Sequence, residues 1–370
     1  MSRVISTCMY KYVSKAPSIH TGSCCWRRSF ESELQSIDRV LLVSDRNAAE
    51  MLYDLDTDIE RFNIKSPRLT LSKVRAGTER IHAFRPDAIV AFGGEPAMDA
   101  SKLMRVLYED PDKDFFFRPM KPFFAPNKEN GRRVKLICAP IASGSGSEVT
   151  PFAILNGRRV LDYALTPDVA IVDNELTTEA DSRVHGLHAL SRAIESYVSE
   201  YANEYTQGHS LRAARLLFQI QNNTPGLLTD LTYNASTMAG LASATAWNSR
   251  SDSIALALDE LYQVPRWVTN AVVLPHVIHH TPFFERKYAE LAVYCGLADP
   301  HNATAEDLVA GLRRLNRAHG VPERLRDLVL FTEHDIERIA ILACYDSLHF
   351  GFVLHEPSVD KFKQIIVDSY

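Results

Sequence analysis

Residues 87–108 read DAIVAFGGEPAMDASKLMRVLY and contain, in order, a strand-like run, a glycine turn and a helix-like stretch. The apolar run at 87–92 is typical of a strand that is buried on both faces of a sheet. Gly93-Gly94 follows it directly, and from 98 to 108 the apolar residues have helical spacing. This segment therefore predicts one strand–turn–helix unit of a parallel α/β sheet.

The same alternation of strands and helices continues on both sides of this unit. We predict strands at 39–45, 69–71, 87–92, 135–140 and 169–173, and helices at 46–62, 73–84 and 98–108. Strands that are separated by helices along the chain indicate a parallel, doubly wound sheet.

From about residue 175 the strand pattern stops. We predict helices at 182–200, 206–221, 233–248, 251–261, 268–280, 284–296, 304–318 and 333–346. Pro and Gly residues separate these stretches. The fold class is therefore α/β plus all-α, with an α/β domain of the dinucleotide-binding type over 1–178 and an all-helical domain over 179–370.

Composition limits the classes of partner. The chain has 370 residues, a formal net charge of −5 and 46% hydrophobic residues, which suits two ordinary globular domains. We expect no nucleic-acid partner, because phosphate contacts need clustered Lys and Arg, and no membrane span, because no run approaches ~20 apolar residues. The pair Arg158-Arg159 is predicted to be a solvated loop or strand edge.

The cysteines and the N-terminus bear on localisation. The six cysteines include no CxxC pair, so a disulfide framework is not expected and a reducing cytoplasm is the default prediction. The first thirty residues contain five basic residues and no acid, so an organelle-targeting segment is the alternative. An ordinary N-terminal strand region is the preferred interpretation of the same residues.

Two glycine-rich turns follow predicted strands, at Gly93-Gly94 and at residues 143–147, which read SGSGS. Ligands of open parallel sheets lie outside the carboxyl ends of the strands. Glycine allows the backbone to approach a phosphate closely, and exposed amide groups then donate hydrogen bonds to it. Two such turns at strand ends indicate a nucleotide site.

Five segments resemble the iron-containing alcohol dehydrogenase family, and most closely the alcohol dehydrogenase half of the bifunctional aldehyde-alcohol dehydrogenases. Residues 92–102 (FGGEPAMDASK) resemble the family's GGGSPMDAAK, and 140–152 (PIASGSGSEVTPF) resemble TTSGTGSEVTPF. Residues 161–173 (LDYALTPDVAIVD) resemble ADYALTPDMAIVD. Residues 186–197 (GLHALSRAIESY) and 262–276 (YQVPRWVTNAVVLPH) resemble GLDAVTHAMEAY and FHIPHGLANALL.

The resemblance implies a Rossmann-like domain that binds NAD or NADP and a helical domain that holds a divalent metal, usually iron or zinc. In the family the metal polarises the substrate oxygen during hydride transfer. Its ligands are one Asp and three His, and the Asp and the first His lie four residues apart on one helix face, where both side chains reach one ion.

Each of the four ligand positions differs in this chain. The family's Asp corresponds to His188, and its three ligand His residues correspond to Arg192, Asp252 and Arg266. A guanidinium carries no lone pair for a metal and repels a dication. The sequence therefore predicts that this chain has lost the metal site and that no metal is bound.

The resemblance also marks a candidate cofactor site, at Asp45, Gly93, Gly94, Asp99, Lys102, Ser143, Gly144 and Ser147. Asp45 matches the family acid that favours NAD over NADP. The family's third glycine is Glu95 here, and the serine after it is Pro96. A carboxylate disfavours a nearby pyrophosphate, and proline removes an amide donor. We therefore expect NAD(P) binding that is weakened but not excluded.

Three functions remain open from the sequence. In the first, the chain is a pseudoenzyme that supports an active relative or assembles with itself. In the second, it is a repurposed enzyme in which Arg192 and Arg266 bind a small anion and His188 acts as an acid or base near neutral pH. As a third possibility, it is a metal-free NAD(P)-dependent alcohol or aldehyde oxidoreductase in which an arginine polarises the carbonyl. A salt bridge from Asp252 to Arg192 or Arg266 that only fills the cavity is the preferred alternative to a new active site.

Overall fold

The structure is a computed structural model that describes residues 16–45, 57–64, 68–116, 133–176, 179–219, 225–247, 250–349 and 358–370. A six-stranded parallel sheet forms the first domain, in the spatial order β1-β8-β5-β4-β2-β3. Its strands are β1 (Ser18–Thr21), β2 (Arg39–Ser44), β3 (Asp58–Asn63), β4 (Ala88–Gly93), β5 (Lys135–Pro140) and β8 (Val169–Val172). The predicted fold class is confirmed.

Helices cover both faces of this sheet. The described helices of the first domain are α1 (Trp26–Leu34), α2 (Leu71–Phe84) and α3 (Glu95–Glu109). The core of one face packs around Leu103 and Met104 of α3, and the core of the other packs around Phe30 of α1. An antiparallel hairpin of β6 (Phe152–Leu155) and β7 (Arg158–Leu161) lies outside the main sheet.

Helices α4 to α12 follow the last strand. They are α4 (Glu179–Val198), α5 (Glu204–Gln219), α6 (Pro225–Ala246), α7 (Arg250–Tyr262), α8 (Arg266–His279), α9 (Glu285–Tyr294), α10 (Ala305–Ala318), α11 (Glu333–His349) and α12 (Val359–Ser369). They share one apolar core. The domain boundary that we predicted, between residues 178 and 179, adjoins residues 177–178, which lie outside the described residues. No described helix has the length and apolar character needed to cross a bilayer.

The predicted strand at 69–71 is wrong. Thr70 caps helix α2 by accepting a hydrogen bond from the Lys73 amide at 3.4 Å, and Leu71 already belongs to that helix. The strand that follows β2 along the chain is instead β3, so the helix predicted at 46–62 is wrong from residue 58 onward; residues 46–56 of that prediction lie outside the described residues. β3 is an edge strand with charged residues at Asp58, Glu60 and Arg61, so its sequence lacks an apolar strand signal.

A buried arginine ties helix α3 to the segment before β8. Arg105 is 1% exposed, and it donates to Asp168 at 2.8 Å and to the carbonyl of Thr166 at 2.9 Å. Asp168 also accepts from Arg133 at 2.6 Å and from the amide of Leu136 at 2.9 Å. One carboxylate therefore holds α3, β5 and the entry to β8 together.

We expect Arg105→Met to lower the free energy of unfolding by about 3 kcal/mol, because it leaves a half-paired carboxylate beside the core. Arg133→Met is the matched control, since Arg133 contacts the same carboxylate but its side chain is 49% exposed. That control should cost about 1 kcal/mol or less. Urea denaturation followed by circular dichroism measures both, and equal losses would contradict this account.

Candidate functional site

The carboxylate of Asp252 is the centre of a buried polar cluster. Asp252 lies in the first turn of α7 and is 1% exposed. Both of its oxygens accept from Nη2 of Arg266 at 2.9 Å, and Oδ2 also accepts from Arg159 at 2.7 Å. Oδ1 accepts from Asn270 at 3.1 Å and lies 3.2 Å from Nε2 of His188. A single carboxylate therefore contacts at least four polar side chains.

Helix geometry brings the four predicted site residues together. His188 and Arg192 lie four residues apart on α4 and share one face, while Arg266 begins α8 immediately after Pro265. Nη2 of Arg192 lies 3.6 Å from Asp252, and Nη1 donates to the carbonyl of Ser145. Nε is buried and has no hydrogen-bond partner within the described ranges. All four positions thus meet in one buried cluster.

A third guanidinium enters the cluster from the hairpin, and the sequence analysis missed it. Arg159 of β7 has a side chain that is 7% exposed, so its predicted place on a solvated edge is wrong, whereas Arg158 is exposed as predicted. Asn156-Gly157, with φ of 51° and 67°, forms the turn of the hairpin. An Asn-Gly pair between two short strand-like runs is a strong signal for a hairpin, and successive side chains of a strand point to opposite faces. Arg158 and Arg159 are therefore expected to face opposite sides of the hairpin.

One ion pair in the cluster joins the two domains. Nη1 of Arg266 donates to both oxygens of Glu95, at 3.0 and 2.9 Å. Glu95 is the first residue of α3, where the helix dipole also favours a negative charge. The carboxylate that we expected to repel a nucleotide is therefore neutralised by an arginine from the helical domain.

The charges of the cluster set its protonation. Burial raises the pKa of Asp252, but the guanidinium groups of Arg266 and Arg159 outweigh it and hold that pKa well below its usual range. Burial also raises the pKa of Glu95, but the surrounding positive charges, first Arg266 and then Arg192, together outweigh burial and lower that pKa. Burial and the nearby Arg192 lower the pKa of His188 to about 4. His188 is therefore a neutral imidazole near neutral pH, which disfavours the suggested acid role there.

The low pKa of His188 predicts a loss of stability in acid. In the unfolded chain this imidazole takes up a proton below about pH 6.5, whereas in the folded chain it does so only near pH 4. Its contribution is complete above about pH 6.5 and is lost as the pH falls. From pH 7 to 4.5 the parent chain should lose about 2 to 3 kcal/mol more than His188→Gln.

Urea denaturation at the two pH values checks this difference. His276, whose pKa is also lowered to about 4, and Asp99, whose pKa is raised to about 6, are present in both chains, so their effects cancel in the comparison. Parallel pH profiles for the parent and the variant would refute the assignment.

Three of the predicted cofactor residues lie together at the carboxyl ends of β2 and β4. Oδ2 of Asp45 accepts from the amide of Gly94 at 2.9 Å. A Cβ on Gly93 would lie 2.6 Å from Oδ1 of Asp45, so this close approach requires glycine. Oδ1 itself is buried and accepts no hydrogen bond from the part of the chain that the structure describes. The turn therefore presents a spare acceptor beside the first residues of α3.

Three other predicted cofactor residues form a buried network beneath this turn. Lys102 donates to Ser147 at 2.6 Å and to the carbonyl of Phe152 at 2.7 Å, and Ser147 donates to Asp99 at 2.5 Å. Asp99 also accepts from the amide of Ile154 at 2.7 Å. These contacts attach the hairpin to α3 and so fix the strand that carries Arg159.

The second glycine-rich turn packs against α6. The amide of Gly144 donates to Ser236 at 2.6 Å, and the hydroxyl of Ser143 is buried without a partner. Gly146 has φ of 62°, and a Cβ there would lie 2.7 Å from Cα of Gly240. Glycine is therefore required for the close contact between this turn and the helical domain.

A small cavity remains between the cluster and the hairpin. It is lined by Glu95, Asp99, Ser145, Ser147, Thr150, Phe152, Ala153, Ile154, Arg159, Arg192, Ser243, Trp247, Asp252 and Arg266. Its volume is about 20 Å³, which is room for about one water molecule. Within the described ranges, no three His, Cys, Asp or Glu side chains are grouped so that they could hold a metal ion.

Sequence comparison matches most of the chain to one family. Residues 17–174 match the family described as iron-containing alcohol dehydrogenase. Residues 184–370 match the C-terminal domain of the Fe-containing alcohol dehydrogenase family.

Individual relatives agree with these matches. The bifunctional aldehyde-alcohol dehydrogenase AdhE of Escherichia coli strain K12 is 32% identical over 342 residues, covering 81% of this chain and 38% of the relative. The chain thus corresponds to well under half of that protein. An iron-containing alcohol dehydrogenase from Thermococcus thioreducens has the same fold, with a TM-score of 0.83, 23% identity and coverage of 98% and 99% of the two chains. Sulfoacetaldehyde reductase from Bifidobacterium kashiwanohense, solved with NAD+, gives a TM-score of 0.79 at 21% identity, with coverage of 98% and 99%.

Proposed function

The chain belongs to the iron-containing alcohol dehydrogenase family, and from this premise we propose that it keeps the family scaffold without the metal-dependent reaction. The observation that carries the proposal is the contact of Arg266 with Asp252, in which one guanidinium nitrogen lies 2.9 Å from both carboxylate oxygens. Both residues stand where the resemblance places metal-binding histidines. Arg266 occupies one acceptor site on each Asp252 oxygen, and Arg159 and Asn270 donate to the same two oxygens. The roughly four lone-pair sites of the carboxylate are therefore directed at protein donors rather than at an ion.

The remaining donors do not fit a divalent metal. His188 is neutral, but its Nε2 faces Asp252, and both Asp252 oxygens already accept from guanidinium groups. Catalytic zinc sites use three protein ligands and an open position, and of the four positions that correspond to the family's ligands only two, His188 and Asp252, carry a side chain that could ligate. A dication bound at Asp252 would also be repelled by the three guanidinium groups that lie within 4 Å of this carboxylate, those of Arg159, Arg192 and Arg266. No step of a reaction is therefore assigned to a metal.

The turn residues fit a nucleotide better than the cluster fits a metal. The unpaired Oδ1 of Asp45 is an acceptor suited to a ribose hydroxyl, which favours NAD over NADP. The amino end of α3 favours a pyrophosphate. Pro96 removes one amide donor there, and the carboxylate of Glu95, although paired with Arg266, lies at the first residue of the same helix. We infer that NAD(P) binds, more weakly than in relatives that carry GGGS.

The 20 Å³ cavity favours a pseudoenzyme over a metal-free oxidoreductase. An alcohol or aldehyde must reach an arginine for that residue to polarise its oxygen. The described side chains leave room for about one water molecule, and Arg192 and Arg266 are already ion-paired. We therefore propose that the scaffold has a supporting role, either as a homo-oligomer or as the partner of an active relative.

Metal analysis and nucleotide binding on one purified sample test this proposal. We expect less than about a tenth of an equivalent of iron or zinc after dialysis against either metal, no alcohol-dependent reduction of NAD+, and weak binding of NAD+ by calorimetry. One equivalent of metal together with alcohol-dependent reduction of NAD+ would overturn the proposal. The bifunctional relative's alcohol dehydrogenase half, prepared in parallel, is the positive control.

A further inference from the structure

The position of the Glu95 carboxylate marks a place where the cleft holds an oxyanion. We propose that a small molecule with a carboxylate or phosphate group binds at this position by displacing Glu95 from Arg266. The inference rests on the proposed function, because it assumes that no metal dication shares the cleft. It names the class of ligand that the altered cleft accepts.

The contacts of Glu95 are those that an external oxyanion needs. Both of its oxygens accept from Nη1 of Arg266, at 3.0 and 2.9 Å, and the carboxylate belongs to the first residue of the fifteen-residue helix α3. A cation and a helix amino end favour any carboxylate or phosphate in the same way. The side chain therefore occupies an anion position that its own backbone helps to form.

Two buried donors beside this position remain unused. Among the described residues, Nε of Arg266 and Nε of Arg192 have no hydrogen-bond partner, and these two arginines are only 9% and 8% exposed. Both residues line the cavity that Glu95 also lines. A buried N–H group without a partner is costly, so an oxyanion that is free of the backbone and can place its oxygens against these groups would be favoured there.

Glu95 is the member of the cluster that is able to leave. Its side chain is 27% exposed, whereas that of Asp252 is 1% exposed and held by several donors. When an external monoanion replaces Glu95, Arg266 keeps its contact with Asp252 and the buried charge is unchanged. The exchange opens the contact between α3 and α8, so ligand binding also releases an ion pair that joins the two domains.

Glu95→Ala tests the proposal by removing the internal competitor. A tethered carboxylate competes at an effective concentration on the order of millimolar or higher. Acetate or inorganic phosphate, at constant ionic strength set with chloride, should therefore raise the unfolding temperature of Glu95→Ala saturably, with an apparent Kd at least ten-fold lower than for the parent chain. Glu60→Ala is the matched control, because Glu60 pairs with Arg80 at 2.9 Å and is 26% exposed but lies on the edge strand β3.

A second substitution and a second probe complete the experiment. Arg266→Met added to Glu95→Ala should abolish the saturable response, and Glu95→Gln, which keeps the shape of the side chain, replaces Glu95→Ala if that variant does not fold. A response to acetate alone or to phosphate alone supports the proposal and identifies the group bound. Competition between phosphate and NAD+ would show that the position is only the phosphate subsite of the dinucleotide, and would overturn the proposal of a separate small-molecule site.

The opposite results are equally clear. Equal responses of Glu95→Ala and Glu60→Ala, or a response that survives Arg266→Met, would overturn the oxyanion site. These measurements need neither metal nor turnover. Failure of the oxyanion site is therefore distinguishable from failure of the proposed function, which metal content and NAD+ reduction report.

Discussion

Asp252→Asn is expected to lower the free energy of unfolding by about 3 to 5 kcal/mol, the usual cost of removing one partner from a buried ion pair. The substitution keeps the size of the side chain but removes the negative charge that Arg159, Arg192 and Arg266 face. It also turns one acceptor oxygen into a donor opposite a guanidinium. Urea denaturation at pH 7 measures the loss.

Asp346→Asn is the matched control for this substitution. Asp346 accepts from Ser253 at 2.7 Å and lies 3.5 Å from Arg159, but its side chain is 12% exposed and it faces one guanidinium of the cluster. We expect it to cost about 1 kcal/mol. A loss for Asp252→Asn no larger than the control's would show that the buried charge is not the centre of the cluster.

The cause of the loss is open to a separate test through Arg192. If uncompensated positive charge destabilises Asp252→Asn, then adding Arg192→Met should recover at least about 1 kcal/mol relative to the sum of the two single losses. Arg192 is suited to this test because its contact with Asp252, at 3.6 Å, is the longest of the three arginine contacts. Additive losses would point to packing rather than charge.

The central strands were predictable because of where they lie in the sheet. β2, β4 and β5 pair on both sides and are almost entirely buried, so each has a continuous apolar run. The edge strands β1 and β3 have a single neighbour and exposed residues. Their formation depends on pairing with a distant strand, and the local sequence carries little of that information.

The cluster was predictable only in part for a similar reason. The spacing of His188 and Arg192 is a local property of one helix, and the resemblance supplied Asp252 and Arg266. Arg159 lies 93 residues before Asp252, and Glu95 lies 171 residues before Arg266. Such contacts depend on how the hairpin and α3 meet the helical domain, which no periodicity in the sequence encodes.

Restoring the family's ligands should restore metal binding, but only if Arg159 is also removed. The four changes that the sequence suggests are His188→Asp, Arg192→His, Asp252→His and Arg266→His. They leave the guanidinium of Arg159, which now lies 2.7 Å from the carboxylate at position 252. A cation so close to a dication costs on the order of several kcal/mol even at the effective dielectric constant of a protein.

We therefore expect the quadruple variant to bind zinc weakly. The quintuple variant, which adds Arg159→Ala, should bind about one equivalent of zinc with an affinity at least ten-fold higher. Inductively coupled plasma mass spectrometry after dialysis measures the metal content. A chain with Gln in place of the three new histidines is the control for size, and it should bind none. Equal zinc affinity of the quadruple and quintuple variants would show that Arg159 does not act on the ion. One equivalent of zinc in the parent chain would show that its arginines do not block the ligands. That result would contradict the inference that the contact between Arg266 and Asp252 excludes a metal.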